Sequence, residues 1–184
     1  NADYGTHFAE ELATLCNGEG TYIQFVGDLN SVSHNEWCDA ADAYFEANTN
    51  MVNGGRYETG DDTTSSYNQT TDVVGAAQAV EELGLTGQVA VVGTSMTSIA
   101  RQYVESGTIA TFSVWDPAEA GKAMIELAIA VLDAKAAGTE LDPTTLSLTA
   151  VGYDTLTPDE NTPTVLYGNA RVDVTTDNMD DYDF

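Results

Sequence analysis

Short apolar runs alternate with helix-spaced segments along most of this chain, and that alternation limits the possible folds more than any other feature. Its clearest instance is residues 88–122, QVAVVGTSMTSIARQYVESGTIATFSVWDPAEAGK. QVAVVG is a short apolar run ending in glycine, the pattern of a strand buried on both faces. TSMTSIARQYVESG reads as a polar loop and then a short amphipathic helix closed by Gly107. TIATFSVWD is a second β-rich run, and Asp116 with Pro117 opens a further helix, with the proline in its first turn. Strand, loop, helix, strand is a βαβ unit, and the loop at the strand's carboxyl end is the ligand-facing one.

The preceding residues repeat the pattern. Phe8, Leu12 and Leu15 have helical spacing, Gly18 and Gly20 end that helix, and TYIQFVGD follows as a buried strand. LNSVSHNEW is a polar loop, and residues 35–47 form a second helix whose inner stripe is Trp37, Ala41, Tyr44 and Phe45. Asn53-Gly54-Gly55 turns the chain into a short strand at 56–59, residues 61–71 read as loop or helix start, and a helix over 73–83 is capped by Gly84. After Gly138 the periodic signals weaken to two or three strands with turns. The expected class is α/β, a parallel sheet flanked by helices with a β-rich C-terminal segment. The expected division is an α/β domain over 1–113 and a crossing, helix and closing strands over 114–184.

At 184 residues, 42% of them hydrophobic, the chain is long enough for a real core. Its 30 acidic residues against 5 basic ones give a formal net charge of -25. That excludes nucleic acid and an anionic membrane surface as partners, because both need a positive patch. It suits a solvated surface in a salty medium, where screening weakens self-repulsion. A store of divalent cations is the sharper alternative. No stretch reaches the length of a membrane span: the longest apolar run, 123–137, is interrupted by Glu126 and Asp133. The chain opens without methionine or a signal peptide and so reads as a processed product or a fragment.

VVG with its polar loop, RQYV, ESGTI and WDPAEAGK together resemble the sugar-binding and autoinducer-2-binding periplasmic proteins of ABC importers, the type I solute-binding family. SVSHNEWCDA and the closing DNMDDYDF fit the same resemblance. It runs over nearly the whole chain, yet only over the second half of a usual family member. It implies that the N-terminal lobe is absent, and that one helix-strand unit is missing near 68–72, where SYNQT runs straight into TDVVG.

The resemblance also implies where a ligand would sit. Ser33 and His34 fall where relatives place polar ligand contacts, with Asn35 beside them. The alternative is that Ser33 or Asn35 caps the helix and His34 is merely exposed. Thr94 and Ser95 follow VVG, where many sugar-binding relatives carry an aspartate that holds two hydroxyls; this chain has no carboxylate there. Thr71 and Asp72 mark the third loop of the cleft, or else cap the helix at Val73. Asp116 faces the cleft near the crossing between lobes, or caps the helix that starts at Pro117. Trp37 and Trp115 could stack on a sugar ring, although the helical stripe favours core packing for Trp37.

No catalytic constellation, cofactor motif or metal-ligand pattern emerges. His7 and His34 are the two histidines, and the acidic run Asp177, Asp180, Asp181, Asp183 lacks the glycine and spacing of an EF-hand loop. Cys16 ends the first helix and Cys38 opens the second, on opposite levels of a strand about seven residues long. Free thiols or a bridge between chains are therefore expected rather than an intrachain disulfide.

Two functions follow. The first is a non-enzymatic solute-binding protein, periplasmic or extracellular, that captures a sugar-like or autoinducer-2-like molecule for an ABC importer permease. The second is a self-assembling extracellular filament or layer, in which identical chains cover the apolar faces left by the missing parts.

Overall fold

The computed structural model describes residues 2–59, 72–159 and 161–182. They form two compact units, one of Asn1–Phe112 with Val174–Phe184 and one of Ser113–Asp173.

In the first unit, α1 (Ala2–Leu15) packs against α2 (Val32–Asn48). Its buried residues are Gly5, His7 and Ala9, of which Gly5 and Ala9 share one face, whereas the expected Leu15 is 40% exposed. Gly5 is needed on that face because the two helices nearly touch. A methyl group at Gly5 would land on the carbonyl oxygen of Trp37. Tyr4 packs edge-on against Trp37 with ring centroids 5.3 Å apart. Gly18, at φ 70°, ends α1, and its amide reaches back to the Ala13 carbonyl.

β1 (Thr21–Val26) pairs in parallel with β2 (Val52–Glu58). The helices cover one face of β1: Tyr22 joins Ala9, Ala41 and Phe45 in a core cluster. On the other face Ile23 and Phe25 are 49% and 46% exposed, so β1 is not the fully buried strand that TYIQFVGD suggests. Asn53-Gly54-Gly55 is likewise not a turn. Tyr22 pairs with Asn53 and Gln24 with Arg56, so Gly54 and Gly55 together oppose Ile23 in a β-bulge. Gly55, at φ 122°, supplies the backbone conformation the bulge needs, and the Asn53 side chain accepts its amide at 2.7 Å.

α3 (Asp72–Glu82) packs on α4 (Thr97–Glu105). Glu81 ties them further, accepting from the hydroxyls of Ser106 and Thr108 at 2.5 and 2.8 Å. The run QVAVVG between these helices departs from expectation. Its link across the unit is a parallel bridge from Val91 to Ile109, and Val89 is 42% exposed. Among the described residues no ladder joins this run to β1, and its burial is uneven, with Val91 8% exposed beside the exposed Val89. The helix-strand unit expected to be missing near 68–72 falls on positions of which all but Asp72 lie outside the described residues.

β3 (Phe112–Trp115) pairs with β6 (Arg171–Val174), all but Phe112 and Val174 of these strands lying in the second unit, where β4 (Thr157–Pro158) pairs antiparallel with β5 (Leu166–Tyr167). α5 (Pro117–Ala137) begins at Asp116, whose carboxylate accepts from the Ala118 and Glu119 amides, and ends at Gly138 in the left-handed conformation. Ala123 is buried with Leu148, Ala150 and Leu156. On the same side Glu126 accepts from the Thr149 amide and hydroxyl, and Glu119 from the Val151 amide at 2.6 Å. Lys122, between them, donates to the Thr149 carbonyl at 3.1 Å. The outer side of α5 is uncovered: Met124, Ile125 and Leu132 are 72%, 64% and 64% exposed.

Among the described residues no helix is long and apolar enough to cross a membrane. Cys16 and Cys38 are free thiols, each half-buried.

Two outcomes follow. Gly5→Ala should destabilise the protein by about 2 kcal/mol in chemical unfolding, because the overpacking at Trp37 exceeds the gain in helix propensity. Gly75→Ala, with open space around it in α3, should be neutral or stabilising; equal effects from the two would refute the close crossing. In α5, hydrogen bonds from the Thr149 hydroxyl and amide hold the Glu126 carboxyl below its usual range. The folded state therefore binds fewer protons there, and this contribution is present above the ordinary glutamate pKa and lost as pH falls through the lowered folded value. The Thr149 and Ala150 amides should lose exchange protection over that acid range in the wild type and at neutral pH in Glu126→Ala; unchanged protection in the variant would contradict the clasp.

Candidate functional site

The loop between β1 and α2 is built by its own polar side chains. The Asp28 carboxylate accepts from the Asn30 amide at 2.6 Å and its side chain at 3.0 Å, and the Ser31 amide returns to the Asp28 carbonyl at 3.0 Å. Ser31 occupies the N-cap position of α2 without a side-chain cap bond, so neither Ser33 nor Asn35 caps the helix. Ser33 and His34 lie in its first turn, Ser33 Oγ 3.4 Å from Ser31 Oγ. The His34 ring stands 5.2 Å from that of Trp37. His34 Nδ1 and Trp37 Nε1 are buried and find no hydrogen-bond partner among the described residues.

Asn35 is engaged at both ends of its amide. Its Nδ2 donates to the Leu29 carbonyl at 2.7 Å, and its Oδ1 accepts from Arg56 Nη1 at 2.7 Å. Arg56, on β2, also donates through Nε to Gln24 Oε1 at 3.1 Å and through Nη2 to Asp39 and Asp42 at 2.8 and 3.2 Å. Asp42 accepts in addition from Tyr22, Gln24 and Asn53 at 2.8, 2.9 and 3.0 Å. Burial, and then the hydrogen bond with Asp42, push the Tyr22 hydroxyl well above its ordinary pKa. For Arg56, burial opposes the charge, but the hydrogen bond to Asp39 and the nearby carboxylate charges outweigh it and raise its pKa. Burial raises the Cys38 thiol, above all other influences.

This network is absent from the sequence reading. The signal for it was present, since Asn35, Asp39 and Asp42 are spaced i, i+4, i+7 and so form one polar stripe on α2. What cannot be read locally is that the stripe faces an arginine 14 to 21 residues away.

Of the other predicted positions, Thr94 is half-buried and Ser95 is 4% exposed, just before α4. They belong to the same compact unit as Ser33, His34 and Asn35; Asp116 belongs to the other unit, where it caps α5. Thr71 lies outside the described residues, and Asp72 opens α3. A cavity of about 340 Å³ lies elsewhere, at the amino ends of the strands, lined by Leu15, Cys16, Glu19, Val89, Val91 and Thr108 among others. Open α/β sheets bind ligands at the carboxyl ends, so the loop network, not this cavity, is the candidate site.

Residues 67–136 match the family model of a periplasmic binding protein domain. A sugar ABC transporter from Actinomyces odontolyticus matches 100% of this chain and 64% of its own, with 19% identity and a TM-score of 0.80. An ABC transporter solute-binding protein from Burkholderia graminis in complex with D-arabinose matches 99% of this chain and 62% of its own, at 19% identity and a TM-score of 0.68. Another from Agrobacterium vitis, with bound D-fucose, matches 98% and 59%, at 17% identity and a TM-score of 0.63. The chain thus spans 59–64% of the length of these solved proteins. Over that span the chain has the α/β fold of these solved proteins, with a parallel strand pair and helices packed on it, and over residues 67–136 it bears out the expected resemblance to periplasmic binding proteins.

Proposed function

We propose that this chain belongs to an extracytoplasmic solute-binding protein that captures a sugar-like or autoinducer-2-like small molecule and delivers it to an ABC importer permease. It is periplasmic or extracellular and performs no chemistry on its ligand. The observation that carries this reading is the match of the entire chain to a sugar ABC transporter protein at a TM-score of 0.80. The proteins with bound D-fucose and D-arabinose support small polyhydroxylated molecules as the ligand class.

In this reading Ser33, His34, Asn35, Thr94 and Ser95 line the ligand side of the sheet. Ser33 and His34 are the strongest of these, because they follow β1 directly and because His34 Nδ1 is a buried nitrogen without a partner among the described residues. Calorimetry with D-arabinose, D-fucose and D-tagatose tests the reading. Saturable binding is expected, weakened by about 1 kcal/mol or more in His34→Ala. Unaltered affinity in that variant removes His34 from the site, and no binding of any of the three sugars refutes the sugar class.

A self-assembling filament or layer is the rival, and the uncovered side of α5 favours it. Met124, Ile125, Ile129, Val131 and Leu132 are each at least 46% exposed there, on the only helix that carries lysines. With a net charge of -25, association through that face should strengthen as salt rises. Sedimentation at low and high salt decides. A salt-dependent oligomer supports assembly, and a compact 19.5 kDa species under both conditions refutes it.

A further inference from the structure

The Arg56 guanidinium reaches the candidate ligand loop through a single side chain. We propose that Arg56 is the positioning residue of that loop, acting through the Asn35 amide on Leu29 and so on Ser33 and His34. Its functional meaning rests on the ligand-binding reading above; its geometry does not.

An asparagine amide has one acceptor and one donor end, and either can be turned toward a given neighbour. Here Arg56 Nη1 donates to Asn35 Oδ1 at 2.7 Å, and a guanidinium has no acceptor, so the oxygen must face it. That leaves Nδ2 to donate to the Leu29 carbonyl at 2.7 Å. Leu29 sits inside the Asp28–Ser31 turn, whose remaining internal bonds all begin or end on Asp28. Asn35 is therefore the strut that ties this turn to α2, and Arg56 sets which way the strut points. Ser33 and His34 lie on the segment closed between them.

The arrangement requires arginine rather than a positive charge alone. Nε is held by Gln24 on β1, and Nη2 by Asp39 and Asp42 on α2, so the plane that aims Nη1 at Asn35 is fixed from two directions. A lysine could neutralise Asp39 and Asp42 but has no second, fixed donor to aim. If Arg56 only balanced those carboxylates, Arg56→Lys would be harmless to the loop.

Hydrogen exchange on the full chain separates the two cases. The Asn30 and Ser31 amides, both bonded to Asp28, should exchange about tenfold faster in Arg56→Lys and in Asn35→Ala, with the double variant no faster than either. The D-arabinose affinity should fall by a similar factor in both single variants. Wild-type exchange in Arg56→Lys, or effects that multiply in the double variant, would overturn the proposal. Should Arg56→Lys fail to fold, Asn35→Ala decides alone, because it cuts the strut while leaving the Arg56 pairs with Asp39 and Asp42 in place. If the wild type binds none of the sugars, the sugar reading falls and the exchange data still judge Arg56.

Discussion

Four hydrogen bonds leave the Arg56 guanidinium, and they end on β1 and on three successive turns of α2. With its side chain 20% exposed, the group is sheltered enough for charge-assisted bonds to be stronger than those of an open surface pair. It sits in β2, so one side chain joins both strands of the parallel pair to the helix that covers them. Asp42 extends the junction to Tyr22 and Asn53, which makes the ring of Tyr22 core and its hydroxyl part of the polar seam. The packing of α2, the register of β1 on β2 and the course of the loop before α2 all pass through this junction.

The scarcity of cations makes such placement visible. The chain has five basic residues, and those on the described elements sit mostly at seams between segments remote in sequence. Arg101 in α4 meets Asp180 at 2.6 Å, 79 positions along the chain. Lys122 joins α5 to the Thr149 carbonyl. Lys135 instead stands in the last turn of α5, where a positive charge complements the helix dipole. In an acidic chain the remaining carboxylates must find other donors, and several do so at backbone amides: Asp116 at a helix start, Glu119 and Glu126 at a loop, Asp159 at a turn.

What the sequence disclosed was mostly local. Asp116 with Pro117, Gly138 after α5 and Gly18 after α1 mark helix ends through backbone geometry that each residue carries with it. Strand burial was less legible, because it depends on what lies on either side. QVAVVG has the composition of a central strand, yet Val91 is bridged by Ile109 alone among the described residues. Asn53-Gly54-Gly55 has the composition of a turn, and the same conformational freedom serves a bulge when a strand partner is present. At the candidate site, Ser33 and His34 were expected through the family resemblance, and they do follow β1. The Arg56 network was not expected, since its members become neighbours only once β2 lies beside β1.

The first compact unit is not continuous in sequence. Val174, fully buried, and Met179, 8% exposed, belong to it although Ser113–Asp173 intervenes. On a ribosome the intervening unit is synthesised without interruption and is complete before the first unit is. The unit that was started earlier must wait for 174–182 before Arg101 meets Asp180 and the core around Val174 closes. Order of completion thus runs opposite to order of synthesis, and during that interval the earlier unit is the one whose apolar surface is open to chaperones and proteases.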